Sequence, residues 1–249
     1  MFTVDVGNSS LSVGRWLDGE LSASRFTEPA DAAQVIDGPS AIISVSAARL
    51  DQLLRALPSE ARQEANVLTG IPMELSDPSL GASTGQDRFA AALAVCPGPA
   101  IVIDAGTALT VDLVDGLGVF LGGFIAPGPQ AALEGLSRAG SALPTMEPGC
   151  SAISPGQDTR SAMQAGVWGM VLGGADRLVS AAREVLPQAR LVATGGWAEA
   201  WVSQTTFSEV SLDEQLVHRG IALWARQASD RRQGGPGDVR WLSGDAPPP

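Results

Sequence analysis

The chain has 249 residues and a formal net charge of −11; every basic residue is an arginine, tyrosine is absent, and His218 is the single histidine. Without lysine there is no Walker-A phosphate loop, protein-kinase strand lysine or pyridoxal Schiff base, and one histidine cannot form an HExxH zinc site. The acidic balance argues against nucleic acid and anionic membrane surfaces as partners, because both require a basic face.

Phe2–Val6 is a short apolar run and reads as a strand. It meets a turn at residues 7–10, and a second strand over Leu11–Trp16 leads to the Asp18-Gly19 turn. Ala41–Ser46 reads as a buried strand, and Ala47–Leu57 as a helix stopped by Pro58. Asn66–Leu68 is a further short strand, Asp77–Gly85 is Gly/Ser/Pro loop, and Asp87–Val95 is a helix. Strands follow at Ala100–Asp104, Leu109–Val114, Val119–Ile125 and Arg190–Ala193. Helices are expected over Gln130–Arg138, Arg160–Val185 and Glu214–Gln227; from Ala228 the composition turns to that of a disordered tail. No apolar run is long enough to span a membrane, the opening residues MFTVDVG give no expectation of a signal peptide, and Cys96 and Cys150 fit a reducing compartment. The expected location is cytoplasmic. Cys96 and Cys150 read as small hydrophobes or exposed thiols, His218 as a partly buried or surface side chain, and Trp168, Trp197, Trp201 and Trp224 as core or dimer-contact residues.

The informative feature is a repeat. Asp5-Val6-Gly7 ends one apolar strand, and Asp104-Ala105-Gly106 ends another 99 residues later. Small hydroxyl residues, a β-branched strand and a Gly/Asp turn follow each copy. Two copies of strand–DxG–turn–strand–turn–strand imply two similar domains that face each other across a cleft, with a DxG turn from each pointing in. Glycine lets backbone approach a ligand, so the amides of Gly7, Asn8 and Ser9 can converge on phosphate oxygens. An aspartate at the strand end can hold a hard cation. Asp104–Thr110 offers one carboxylate and two hydroxyls in the same arrangement.

Two further stretches complete the pattern. In Gly85–Arg88, Asp87 can accept a proton from a substrate hydroxyl and Arg88 can bind a carboxylate or a developing phosphate charge; the bland alternative is a solvated helix cap. In Gly122–Gly128 the glycines permit close packing or close ligand approach.

On these residues the chain resembles the type III pantothenate kinases of the acetate and sugar kinase/Hsp70/actin superfamily. The matching motifs are Asp5–Ser9 (DVGNS), Gly85–Arg88 (GQDR), Asp104–Ala108 (DAGTA) and Gly122–Gly128 (GGFIAPG), with weaker matches at Asp158-Thr159, Thr194–Gly196 and Leu212–Ala222. The resemblance implies an α/β fold of two ribonuclease H-like (actin-like ATPase) domains, residues 1–98 and 99–227, each with a mixed sheet, with ATP held between them and residues 228–249 as a tail. It implies transfer of the ATP γ-phosphoryl group to pantothenate in coenzyme A synthesis, with Asp87 as catalytic base. Asp5, Val6, Gly7, Asn8, Ser9, Ser10, Leu11 and Ser12 would wrap the ATP phosphates, and Thr107 would contact ATP. Gly85, Gln86, Asp87 and Arg88 would contact pantothenate, joined by Thr159 from the partner of a homodimer. Asp104 would hold potassium or ammonium, and Mg²⁺ would accompany ATP.

The chain departs from the family at three places. It has no tyrosine before GQDR, where Leu75-Ser76-Asp77-Pro78 stands; Gly81–Thr84 lengthens that loop; and Ser9-Ser10 replaces the usual threonine. Two other readings therefore compete: a non-catalytic nucleotide-binding relative with a regulatory role, and an enzyme of the same fold acting on another small hydroxyl or phosphate substrate.

Overall fold

The computed structural model describes residues 1–140, 142–149 and 153–233; Cys150 and residues 234–249 lie outside them. In chain order the elements are β1 (Phe2–Val6), β2 (Leu11–Leu17), β3 (Glu20–Phe26), α1 (Pro29–Ala33), β4 (Ser40–Ser44), α2 (Ala47–Ala56), α3 (Ser59–Gln63), β5 (Ala65–Val67), α4 (Leu80–Ser83) and α5 (Gln86–Ala94). There follow β6 (Ala100–Ala105), β7 (Ala108–Val114), β8 (Phe120–Pro127), α6 (Pro129–Ala139), α7 (Thr159–Val185), β9 (Arg190–Thr194), α8 (Ala198–Val202), β10 (Val210–Leu212) and α9 (Leu216–Gln233).

The described strands form two five-stranded sheets, ordered β3-β2-β1-β4-β5 and β8-β7-β6-β9-β10. The orders match one to one, and so do the directions. β1 pairs antiparallel with β2 and parallel with β4, as β6 does with β7 and β9; the outer pairs β2–β3 and β7–β8 are antiparallel, β4–β5 and β9–β10 parallel. The repeat seen in the DxG turns thus extends to a whole sheet. The two hairpins differ by one residue: residues 7–10 join Val6 to Leu11, whereas residues 106–108 join Ala105 to Leu109.

The central strands are apolar on both faces because both faces are covered. Ile101 and Ile103 of β6 pack outward on α7 and α8, while Ala100 and Val102 pack inward. In the first sheet, Phe2, Val4 and Val6 face α1, α2 and α3. The inner layer is made by α5 and α9, whose Phe89, Leu93, Ile221 and Trp224 share one core with Ile43 of β4 and Val102 of β6. The last helix therefore returns across both halves. Gly220 makes that crossing possible: a Cβ there would lie 1.8 Å from the carbonyl oxygen of Ala90. Gly220→Ala is expected to push α9 off α5 at a cost of about 3 kcal/mol, lowering the thermal midpoint by roughly 6–12 °C in a circular dichroism melt. An unchanged midpoint would show that the helices separate freely.

Several elements differ from expectation. β10 is only three residues long, too short for alternation to give a signal. The Asp77–Gly85 stretch contains the helical turn α4, started by Asp77 Oδ1 accepting from the Ser79 amide at 2.8 Å. α9 continues past Gln227 to Gln233, since no helix breaker occurs before Gly234. His218 is buried, not partly exposed; Trp168, Trp201 and Trp224 are core residues, and Trp197 packs on Trp168 at 6.1 Å between ring centroids. Cys96 is half-buried, and burial pushes its thiol up to about 11, which leaves it unreactive.

Candidate active site

The site is built at the carboxyl ends of the two central parallel strands, β1 and β6. Asp5 and Asp104 occupy equivalent places there. Each turn that follows is closed by its glycine: the Gly7 amide donates to the Ser10 carbonyl at 3.0 Å, and the Gly106 amide to the Ala108 carbonyl at 3.0 Å. A side chain at Gly7 would meet that Ser10 oxygen at 2.9 Å. The second turn is also packed from behind. The Gly128 amide donates to the Thr107 carbonyl at 3.0 Å, and a Cβ at Gly128 would fall 2.1 Å from the Gly106 carbonyl. The Gly122–Gly128 motif therefore acts by close packing. Gly195 lies against Asp104 with φ near +94°, and a Cβ there would sit 2.3 Å from Asp104 Oδ1.

Asp87 enters from the first turn of α5, near enough to be felt by both turn aspartates. Burial, then the charges of Asp87 and Asp104, push Asp5 up to about 8; burial, then Asp87 and Asp112, push Asp104 up to about 7. Burial also raises Asp87, although its Oδ1 accepts the Arg88 amide at 2.8 Å. Asp5 Oδ1 is buried without a hydrogen-bond partner among the described residues. Crowded carboxylates and an orphaned carboxylate oxygen are the donor set that hard cations require. No group of three or more His, Cys, Asp or Glu side chains among the described residues holds an ion by itself. The arrangement fits an ion shared with substrate phosphate oxygens, as Mg²⁺ usually is, better than an all-protein cage.

Arg88 is not free. Its Nε donates to Asp112 Oδ1 at 3.0 Å and Oδ2 at 3.1 Å, its Nη2 also bonds Oδ1, and the guanidinium lies 5.7 Å from the Phe120 ring centroid. Asp112, on β7, is almost wholly buried, and Gly123 makes room for it. This pair ties the GQDR helix to the second sheet. Sequence reasoning missed Asp112, which reads there as one polar residue in an apolar strand. Gln86 is similarly engaged, its Oε1 accepting the Ser44 amide at 3.1 Å. The Ser12 hydroxyl bonds His218 Nε2 at 2.8 Å, while His218 Nδ1 meets Thr3 Oγ1 at 3.0 Å. Burial holds His218 down at about 4, so it stays neutral and anchors α9 behind the first hairpin.

Asp5–Ser12, Gly85–Arg88, Asp104 and Thr107 thus lie on elements that meet where the sheets face each other. Thr159 does not join them within one chain: it is exposed in the first turn of α7, next to Asp158, whose Oδ1 caps the helix by accepting the Ser161 amide at 2.8 Å. The groove between residues 66–72 and the end of α9 has no carboxylate in its lining and lies apart from this chemistry.

A family model described as type III pantothenate kinase matches residues 1–181. A type III pantothenate kinase of Phenylobacterium zucineum is 37% identical over 168 residues, spanning 65% of this chain and 63% of that protein. One of Parafrankia sp. is 32% identical over 231 residues, spanning 82% of this chain and 89% of that protein. Among solved structures, a Campylobacter jejuni protein described as a Baf family transcriptional activator superposes with a TM-score of 0.62 at 22% identity, covering 92% of this chain and all of that one. That likeness speaks to the fold alone.

Proposed function

The chain belongs to the type III pantothenate kinase family, and from that premise we propose that it uses ATP to phosphorylate pantothenate, giving 4'-phosphopantothenate and ADP at the first step of coenzyme A synthesis. The observation that carries this reading is the meeting of Asp5, Asp87 and Asp104 at the ends of two duplicated strands and one helix. Phosphoryl transfer depends mainly on positioning and charge, which such a site supplies.

In this reading the residues 5–12 hairpin wraps the ATP phosphates with its amides, and Thr107 contacts ATP from the facing turn. Gly85–Arg88 receive pantothenate, with Arg88 held in place by Asp112 to meet the substrate's carboxylate side. The Asp87 carboxylate orients the substrate's primary hydroxyl. As the hydroxyl oxygen bonds to the γ-phosphorus, the bond from that phosphorus to the ADP oxygen breaks and the proton passes to Asp87. Burial makes Asp87 a stronger base than an exposed aspartate, which suits that transfer. Mg²⁺ bound with ATP, and potassium or ammonium at Asp104, supply the positive charge that offsets the phosphates in a chain without lysine.

Thr159 reaches pantothenate from the second subunit of a homodimer. Its exposure, together with the open faces of Gly166, Gly173 and Gly174 and the exposed Met170 on the same helix, supports that arrangement. The enzyme works in the cytoplasm on small molecules, with neither nucleic acid nor membrane as partner, in keeping with its net charge of −11. Among the described residues, no helix is long and apolar enough to cross a membrane.

The test is ADP release in a coupled assay with and without pantothenate and K⁺. Pantothenate-dependent ADP release, stimulated by K⁺ or NH₄⁺, is expected. ATP binding without any pantothenate-dependent turnover would sink the reading and move weight to a non-catalytic relative or another acceptor.

A further inference from the structure

Arg25 lies in a row that crosses the first sheet toward the site. Asp5 on β1 is in register with Ser12 on β2, and Ser12 is in register with Arg25 on β3. Residues directly opposite in a sheet share a face, so the three side chains lie on one side of it. Asp5 and Ser12 belong to the phosphate hairpin of the proposed function, and Arg25 continues their line outward.

The Arg25 charge is felt on both sides of the site. It partly offsets the rise that burial imposes on Asp5 and Asp104, which stand at the ends of different sheets, and it adds to the burial that lowers His218. Its Nη1 lies 3.2 Å from where a Cβ on Gly196 would sit, so the guanidinium reaches the Thr194–Gly196 turn of the second half. Yet the Arg25 side chain makes no ion pair within 4.0 Å with any described residue, and it remains exposed. Arg88, the other guanidinium here, is already bound by Asp112. A cation stretched over a carboxylate-rich site without a close partner is a receptor for an anion.

We propose that Arg25 binds the terminal phosphates of ATP, bridging the mouth of the site between the two halves. This rests on the kinase reading above. Arg25 then takes the place in this lysine-free chain that a phosphate-binding lysine fills in other designs. A Cβ at Gly196 would press on the guanidinium, which would have to shift by a few tenths of an ångström.

The test is calorimetric binding of the ATP analogue AMP-PNP and of ADP to the full-length protein with Mg²⁺, for wild type, Arg25→Gln, Arg25→Lys and Gly196→Ala. Arg25→Gln is expected to weaken AMP-PNP binding by about 10- to 100-fold and to leave the KM for pantothenate unchanged. Arg25→Lys recovers part of the loss, and Gly196→Ala weakens AMP-PNP binding with the charge still present. Arg25→Gln binding AMP-PNP like wild type would overturn the proposal and leave the kinase reading standing. Wild type binding neither nucleotide would overturn both. Circular dichroism melts of the variants separate a lost contact from a lost fold.

Discussion

Asp87→Asn is expected to lower kcat by about 10²- to 10⁴-fold while changing nucleotide affinity only a few-fold. The substitution keeps the shape and the acceptor oxygen that receives the Arg88 amide. It removes the one property proposed to matter, the capacity to take the substrate's proton. Stability should rise slightly, because an unfavourably buried carboxylate is replaced by a neutral amide. The pH profile adds a second check. Burial raises Asp87, so the wild-type enzyme gains its base only as pH climbs through that raised value. Wild-type kcat/KM should therefore fall toward acid from a point above the usual aspartate range, and Asp87→Asn should lose the part of that fall due to Asp87, keeping only what Asp5 and Asp104 contribute. Undiminished turnover in the variant would remove Asp87 from the chemistry, and an unchanged acid limb would assign that limb to another group.

The parts of this site readable in the sequence are those fixed by backbone geometry. Asp5-Val6-Gly7 and Asp104-Ala105-Gly106 stand out because the same DxG recurs at a tight turn after an unmistakable apolar strand, and at Gly7 a side chain would strike the Ser10 carbonyl. The β1, β6, α5 and α7 boundaries fall within a residue or two of expectation for the same reason. The parts that escape are tertiary. Asp112 looks like a stray polar residue until the fold brings Arg88 onto it. His218 looks like a surface residue until Gly220 lets α9 lie against α5 and carries the ring to Thr3 and Ser12. β3 is a largely exposed edge strand, and nothing in its residue pattern marks Arg25. The strand itself is legible: β8 stands in the second sheet where β3 stands in the first, as two copies of strand–turn–strand–turn–strand require.

Asp104→Asn is expected to separate stability from activity by moving them in opposite directions. An unfolded aspartate titrates near 3.8, and in the folded chain burial and the charges of Asp87 and Asp112 raise Asp104 to about 7. Between those values the folded protein binds more protons than the unfolded one, so stability falls as pH rises. The loss begins near the unfolded value and is complete above the folded one. For this group alone it reaches up to roughly 4 kcal/mol, since moving a pKa by one costs about 1.4 kcal/mol. The neutral amide carries no such penalty. Asp104→Asn should therefore melt several degrees above wild type at pH 8, with the difference shrinking toward pH 4. Cations that meet the carboxylate act on the same free energy, so K⁺ or NH₄⁺ should stabilise wild type at pH 8 and have much less effect on the variant. Turnover should fall and lose its response to K⁺, because the carboxylate that strains the empty fold is the one proposed to hold the activating ion. A stability gain equal at pH 5 and pH 8 would show that Asp104 carries no buried charge. A K⁺ response unchanged in the variant would move the ion elsewhere. The expected pattern instead describes a site kept unstable when empty so that substrate and cations complete its charge balance.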